Sequence, residues 1–253
     1  AASVIARSHA TTALTARTDE RLRLAWAACE SAETPVLAWL EQESRRTVLP
    51  PDAPPMVRVL DDRFTLAGLP AHVRVTAWDQ TGMAPAVDAA AMPSFTPLLT
   101  RPQRRAARWV GVEAPGLDLA DNSVAVFPSP DQPDALGARI ATHNPPPASG
   151  RQRGGPSPAI NIHTAPEPLL RAAYEHLGVP GLDAVLRARR AGERFEGQTG
   201  RAADPGGLRL IGSSTAWGVR TDATVGGLRA SVWSVYTLRA GTWVREQRLV
   251  IAE

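Results

Sequence analysis

His163, Glu167, Glu175 and His176 lie close together in the chain and are of the types that hold metals or move protons. A zinc-protease helix places two histidines one turn apart with a glutamate between them, so that both imidazoles leave one face. The spacing here matches neither that motif nor another ligand set, and the four read as solvent-facing or capping residues. Asp61, Asp62, Asp79 and Asp88 offer the oxygen ligands calcium takes, but no EF-hand loop frames them. They read as turn formers, because a short carboxylate bonds readily to nearby amides. No phosphate-binding loop or dinucleotide fingerprint is present, and "GGLRLIG" at 206–212 has the wrong glycine spacing. Nothing pairs a nucleophile with a base, so the expectation is a protein that is not an enzyme and carries neither catalytic nor metal-ligating residues.

Composition adds constraints. The 28 basic side chains are all arginine and are nearly matched by 25 acidic ones, leaving a net charge of +3. A balance so close to neutral singles out no polyanionic ligand. The single cysteine, Cys29, falls on an apolar helical stripe and reads as a small core hydrophobe. Trp26 and Trp39 fall on the same predicted helix and Trp78, Trp217, Trp233 and Trp243 in predicted strands, where packing explains them without a stacked ligand.

The elements follow from periodicity. Between about residues 3 and 46, Leu14, Leu22, Ala25, Trp26, Cys29, Val36, Leu37 and Leu40 recur at steps that paint one side of a long helix. Pro35 lacks an amide hydrogen and crowds the carbonyl four residues back, which predicts a kink or break. "LPPDAPP" at 49–55 stops the helix, and alternation then predicts strands near 56–60, 63–67 and 71–78 about an Asp61-Asp62 turn and a Gly-Leu-Pro turn. A short helix is expected at 101–110 and a flexible loop at 143–158. Two helices follow, near 166–177 and 183–191, with Asn161 or Thr164 as cap and Pro166 in the first turn. The chain closes on three alternating strands jointed at Gly226-Gly227 and Ala240-Gly241.

The simplest architecture is α+β: the long N-terminal helix lies on one antiparallel sheet built from both strand groups, since each has an apolar face only the other elements can cover. The divisions are residues 1–48 for the helix, 49–82 for the first strands, 83–204 for an inserted, mostly helical subdomain, and 205–253 for the strands completing the sheet.

Two family resemblances attach to these motifs. "AINIHTAPEPLL" at 159–170 with "GVPGLD" at 178–183 resembles a helix-hairpin-helix module, which implies DNA phosphate held on turn amides, with Arg187, Arg189 and Arg190 as backbone contacts. Asp183, at the expected N-cap, would fill that anion site with its own carboxylate, making DNA binding or uptake the alternative reading. Nearly the whole chain resembles the K-type minor pseudopilin of the type II secretion system, through "VRVTAWDQTG", "AINIHTAPEPLLRAA", "PGLDAVLRARRAGERF" and "STAWGVRTDATVGGLRASVWSVYTLRAG".

That resemblance implies a pilin-like fold and a structural role in the pseudopilus tip, with other minor pseudopilins as partners. It also implies a single-pass inner-membrane anchor preceding "AASVIARS" and a periplasmic soluble domain. The partner surface it suggests is the helix stripe Leu14, Leu22, Trp26, Cys29 and Leu40. No cofactor is expected. Residues 84–158 lack the family's Trp-Arg-Asp and Gly-Ala-Glu-Tyr runs, so its calcium sites are not carried over.

Overall fold

A computed structural model describes residues 2–53, 55–82, 84–85, 140–141, 159–195 and 208–251. It opens with α1 (Ala2–Ser31) and α2 (Glu33–Gln42). At 30 residues α1 spans roughly 45 Å. The break at Ala32 is where Pro35 requires it: the proline ring would meet the Ser31 carbonyl, and the helix restarts with Val36 N donating to Ala32 O at 3.2 Å. The buried positions Ala25, Ala28, Cys29, Ala32, Val36 and Leu40 continue across the break on one face.

That face lies on a five-stranded sheet of β1 (Met56–Leu66), β2 (Leu69–Asp79), β7 (Ala216–Val225), β8 (Leu228–Arg239) and β9 (Thr242–Ile251), antiparallel throughout in that order. The two strand groups, far apart in sequence, join where β2 pairs with β7. One sheet face gives Val73, Val75 and Ala77 of β2, Val219 and Ala223 of β7 and Ala230 and Val232 of β8 to the helix core. Small residues on both sides bring helix and sheet close, and Cys29 Sγ sits 3.5 Å from Ala230 O. Trp39 meets Trp217 edge to face, with centroids 4.9 Å apart, and ties α2 to the same core.

β1 runs unbroken through Asp61-Asp62, with only a bulge between Arg58 and Leu60, so those aspartates form no turn. The chain reverses instead at Ala67-Gly68, both left-handed at φ 51° and 76°, which glycine tolerates best. The expected turns at Gly226-Gly227 and Ala240-Gly241 are present, all four residues at positive φ.

The insert carries its own core. Short strands β3 (Ala84–Pro85) and β4 (Ile140–Ala141) pair in parallel, as do β5 (Ala159–Asn161) and β6 (Arg209–Ile211). Helices α3 (Glu167–Leu177) and α4 (Leu182–Arg190) pack with β5 and β6 around Ile160, Leu169, Leu170, Val185, Leu186 and Leu210. The insert boundary at 204 is therefore too early: Leu208 and Leu210 belong to the insert's core, and the sheet resumes only at Ala216. The expected helix at 101–110, the loop at 143–158 and Asp88 lie outside the described residues.

Candidate functional site

The helix stripe divides into two parts with different neighbours. Cys29 is 6% exposed and Leu40 fully buried, both against the chain's own sheet, so neither is available to a partner. Burial, with the Asp222 carboxylate nearby, pushes the Cys29 thiol up to about 12, which makes it an inert packing group. Trp26 is half-buried at the rim of the same core. Leu14 and Leu22, by contrast, are 64% and 38% exposed, and every residue from Leu14 to Glu20 is exposed. The N-terminal part of the stripe is apolar surface with no cover from this chain among the described residues. The sheet offers none there because its near edge ends at the β7–β8 turn, where Arg21 Nη1 donates to Gly226 O at 3.3 Å.

The arginines of the alternative reading do not act together. Arg189 is 1% exposed, and its guanidinium donates to Leu49 O at 2.7 Å, Pro50 O at 3.0 Å, Ile162 O at 3.3 Å and Ala165 O. It fastens α4 to the linker after α2, and burial lowers its pKa to about 10. Arg190 is exposed but pairs with Glu167 at 3.0 Å, leaving Arg187 as the exposed cation of the three without such a pair among the described residues. Asp183 is not the N-cap of α4: Gly181 is, at φ 106°, and no side chain caps the helix. Asp183 sits in the first turn, where its charge suits the helix dipole without closing the amides.

Asn161 and Thr164 likewise do not cap α3, whose N-cap is Pro166. They serve Asp79, the residue whose role the sequence conceals. Asp79 is fully buried at the end of β2, with Thr81 N at 2.8 Å, Thr81 Oγ1 at 2.6 Å and Ser214 Oγ at 2.7 Å donating to Oδ1. Asn161 Nδ2 at 2.8 Å and Thr164 Oγ1 at 2.5 Å donate to Oδ2. A buried carboxylate is tolerated only when its lone pairs are satisfied, and here donors from both the sheet and the insert converge on it. The junction positions the insert.

His163 is buried, not solvent-facing, and burial followed by the charges of Arg194 and Arg189 lowers its pKa to about 4. Glu167 is bound by Arg171 and Arg190, the Arg171 hydrogen bond being the main reason its carboxyl titrates below the ordinary range. Glu175 and His176 are exposed on α3. Among the described residues no three His, Cys, Asp or Glu side chains are grouped to hold a metal. The tryptophans in strands are packing groups: Trp78, Trp217, Trp233 and Trp243 are all buried.

Comparison with known proteins gives little beyond this geometry. No family model matches the chain, and no curated protein matches it. Among solved structures, one chain of the GspK-GspI-GspJ complex from the enterotoxigenic Escherichia coli type 2 secretion system is similar, at 13% identity and a TM-score of 0.48, over 94% of this chain and 100% of that one. At that identity and TM-score the likeness carries no assignment of role.

Proposed function

We propose that the chain is a K-type minor pseudopilin: a non-enzymatic subunit of the tip of a type II secretion pseudopilus that works by assembling with other minor pseudopilins. The observation that carries this reading is the divided stripe of α1. Its later turns bury against the chain's own sheet, while Leu14 and Leu22 stay exposed on the same rod. A rod with apolar residues beyond the edge of its own sheet suits helix-to-helix packing with other subunits. The sequence motifs quoted above point the same way.

In this reading an apolar segment ahead of residue 1 anchors the protein in the inner membrane and leaves the described domain in the periplasm. Among the described residues no helix is long and apolar enough to cross a membrane. The alternative, DNA uptake through α3 and α4, is disfavoured because Arg189 is committed to backbone carbonyls.

The test is to mix the soluble chain with the two other minor pseudopilins and measure the mass in solution by size exclusion with light scattering. A heteromer containing this chain is expected, and Leu14→Asp with Leu22→Asp should abolish it without unfolding the domain. If the partners bind each other and leave this chain monomeric, the reading fails.

A further inference from the structure

The insert is tied to the linker after α2 and to the end of β2 by hydrogen bonds gathered around one buried imidazole. Its core of Ile160, Leu169, Val185 and their neighbours shares no residue with the core under α1. Leu49 N donates to His163 O at 2.9 Å and Glu167 N to Pro51 O at 2.8 Å. Arg189 donates to Leu49 O and Pro50 O, and Arg194 Nη1 to Arg45 O at 2.6 Å. Toward the sheet, Asn161 Nδ2 donates to Asp79 while Asn161 Oδ1 accepts from His163 N at 3.0 Å, so one side chain links the β2 end to the His163 backbone.

His163 is 1% exposed, and its Nδ1 is buried with no hydrogen-bond partner among the described residues. The charges that bear on the ring are cationic, Arg194 from the segment after α4 and Arg189 from α4 itself. The acids along the seam serve other groups. Glu167 of α3 is bound by Arg171 and Arg190, and Asp52 of the linker acts with it on Arg189. Asp79 takes the donors of Thr81, Ser214, Asn161 and Thr164. A proton added to the ring therefore stands in a dry site beside two guanidinium groups, with no carboxylate among the described residues to receive its N–H.

We propose that the α3–α4 unit opens from the sheet as a whole in mild acid, released by protonation of His163 at this seam. The opening does not depend on what packs against Leu14 and Leu22. While the unit is closed, the ring stays neutral down to about pH 4; once it opens, water reaches the ring and it takes up a proton near 6.5. Below about pH 6.5 that uptake favours the open form, and the gain levels off where the closed ring titrates. The ratio of open to closed unit rises roughly twentyfold from about pH 7 to about pH 5. The sheet has no such response in this range: Asp222, its buried carboxylate, titrates below the ordinary value and stays ionised.

Hydrogen exchange read by mass spectrometry on the whole chain, at about pH 7 and about pH 5 and corrected for the intrinsic rate at each, measures the opening of each element. In the wild type the amides of α3 and α4 are expected to lose protection roughly twentyfold, while those of β7 and β8 change by less than about threefold. His163→Gln is expected to leave α3 and α4 equally protected at both pH values. Equal losses in the insert and the sheet, no loss in the insert, or a full loss that persists in His163→Gln overturns the inference. If His163→Gln does not fold, the contrast between α3–α4 and β7–β8 in the wild-type chain decides it alone.

Discussion

Asp79 is the residue on which the insert's placement turns. Among the described residues no ion pair reaches it; neutral donors from Thr81, Ser214, Asn161 and Thr164 satisfy it. Replacing it with alanine leaves those donors buried without an acceptor, at about 1–3 kcal/mol apiece before relaxation. Asp79→Ala should therefore lower stability by at least about 3 kcal/mol in urea denaturation, with Asp79→Asn intermediate.

His163 gives the chain a titration with a defined sign. Its folded pKa of about 4 lies below the unfolded value of about 6.5, so the unfolded chain takes up the proton first. The stability from the neutral ring is complete above about pH 6.5 and is lost as pH falls toward 4, reaching roughly 3 kcal/mol at 1.36 kcal/mol per unit. Stability measured between pH 7 and 4 should show this loss, and His163→Gln should flatten it. Asp222 adds a further decline at lower pH. Burial pushes its carboxyl up, but hydrogen bonds from Ser231 and Arg229 with Arg220 beside it outweigh that, and the depressed value means stability is lost once the carboxylate is protonated.

Among elements, the long helix, its break near Pro35 and the C-terminal meander were legible because each rests on local signals: a helical apolar period, a missing amide hydrogen, and glycines where the chain must reverse. Asp61-Asp62 misled because turn chemistry is only a preference. There Asp61 takes a cross-strand bond from His72 in a continuous strand, and that bond is the main cause of its lowered pKa. The roles of Asp79, Arg189 and Ser214 were not legible, since each depends on segments that are distant in sequence.

Arg189 is the latch between the α3–α4 unit and the linker after α2. Arg189→Met should cost about 2–4 kcal/mol through unsatisfied carbonyls. Hydrogen exchange should place the loss in α3 and α4 while the β7–β8 amides keep their protection. This also means that changing Arg187, Arg189 and Arg190 together reports on folding rather than on DNA contact. At β7, a Cβ on Gly218 would stand 2.2 Å from Trp233 Cζ2, so Gly218→Ala should destabilise by roughly 1–3 kcal/mol as the buried indole is displaced.

At the scale of the whole molecule, two cores are joined by a polar junction, and one helix serves both the molecule's own packing and its proposed partners. The small buried residues Ala25, Ala28 and Cys29 end the intramolecular contact, and the exposed leucines lie N-terminal to them. The arrangement divides the stripe by position along α1, so the two functions can be separated by where a probe is placed.

The most direct measurement is site-specific photocrosslinking, with a photoreactive side chain at position 14, 22 or 40 in the chain mixed with the two other minor pseudopilins. Adducts to a partner from positions 14 and 22, and none from the buried position 40, are the expected result. A chain that is folded and mixed with active partners yet gives no partner adduct at 14 or 22 would contradict the assignment of that helix surface to assembly.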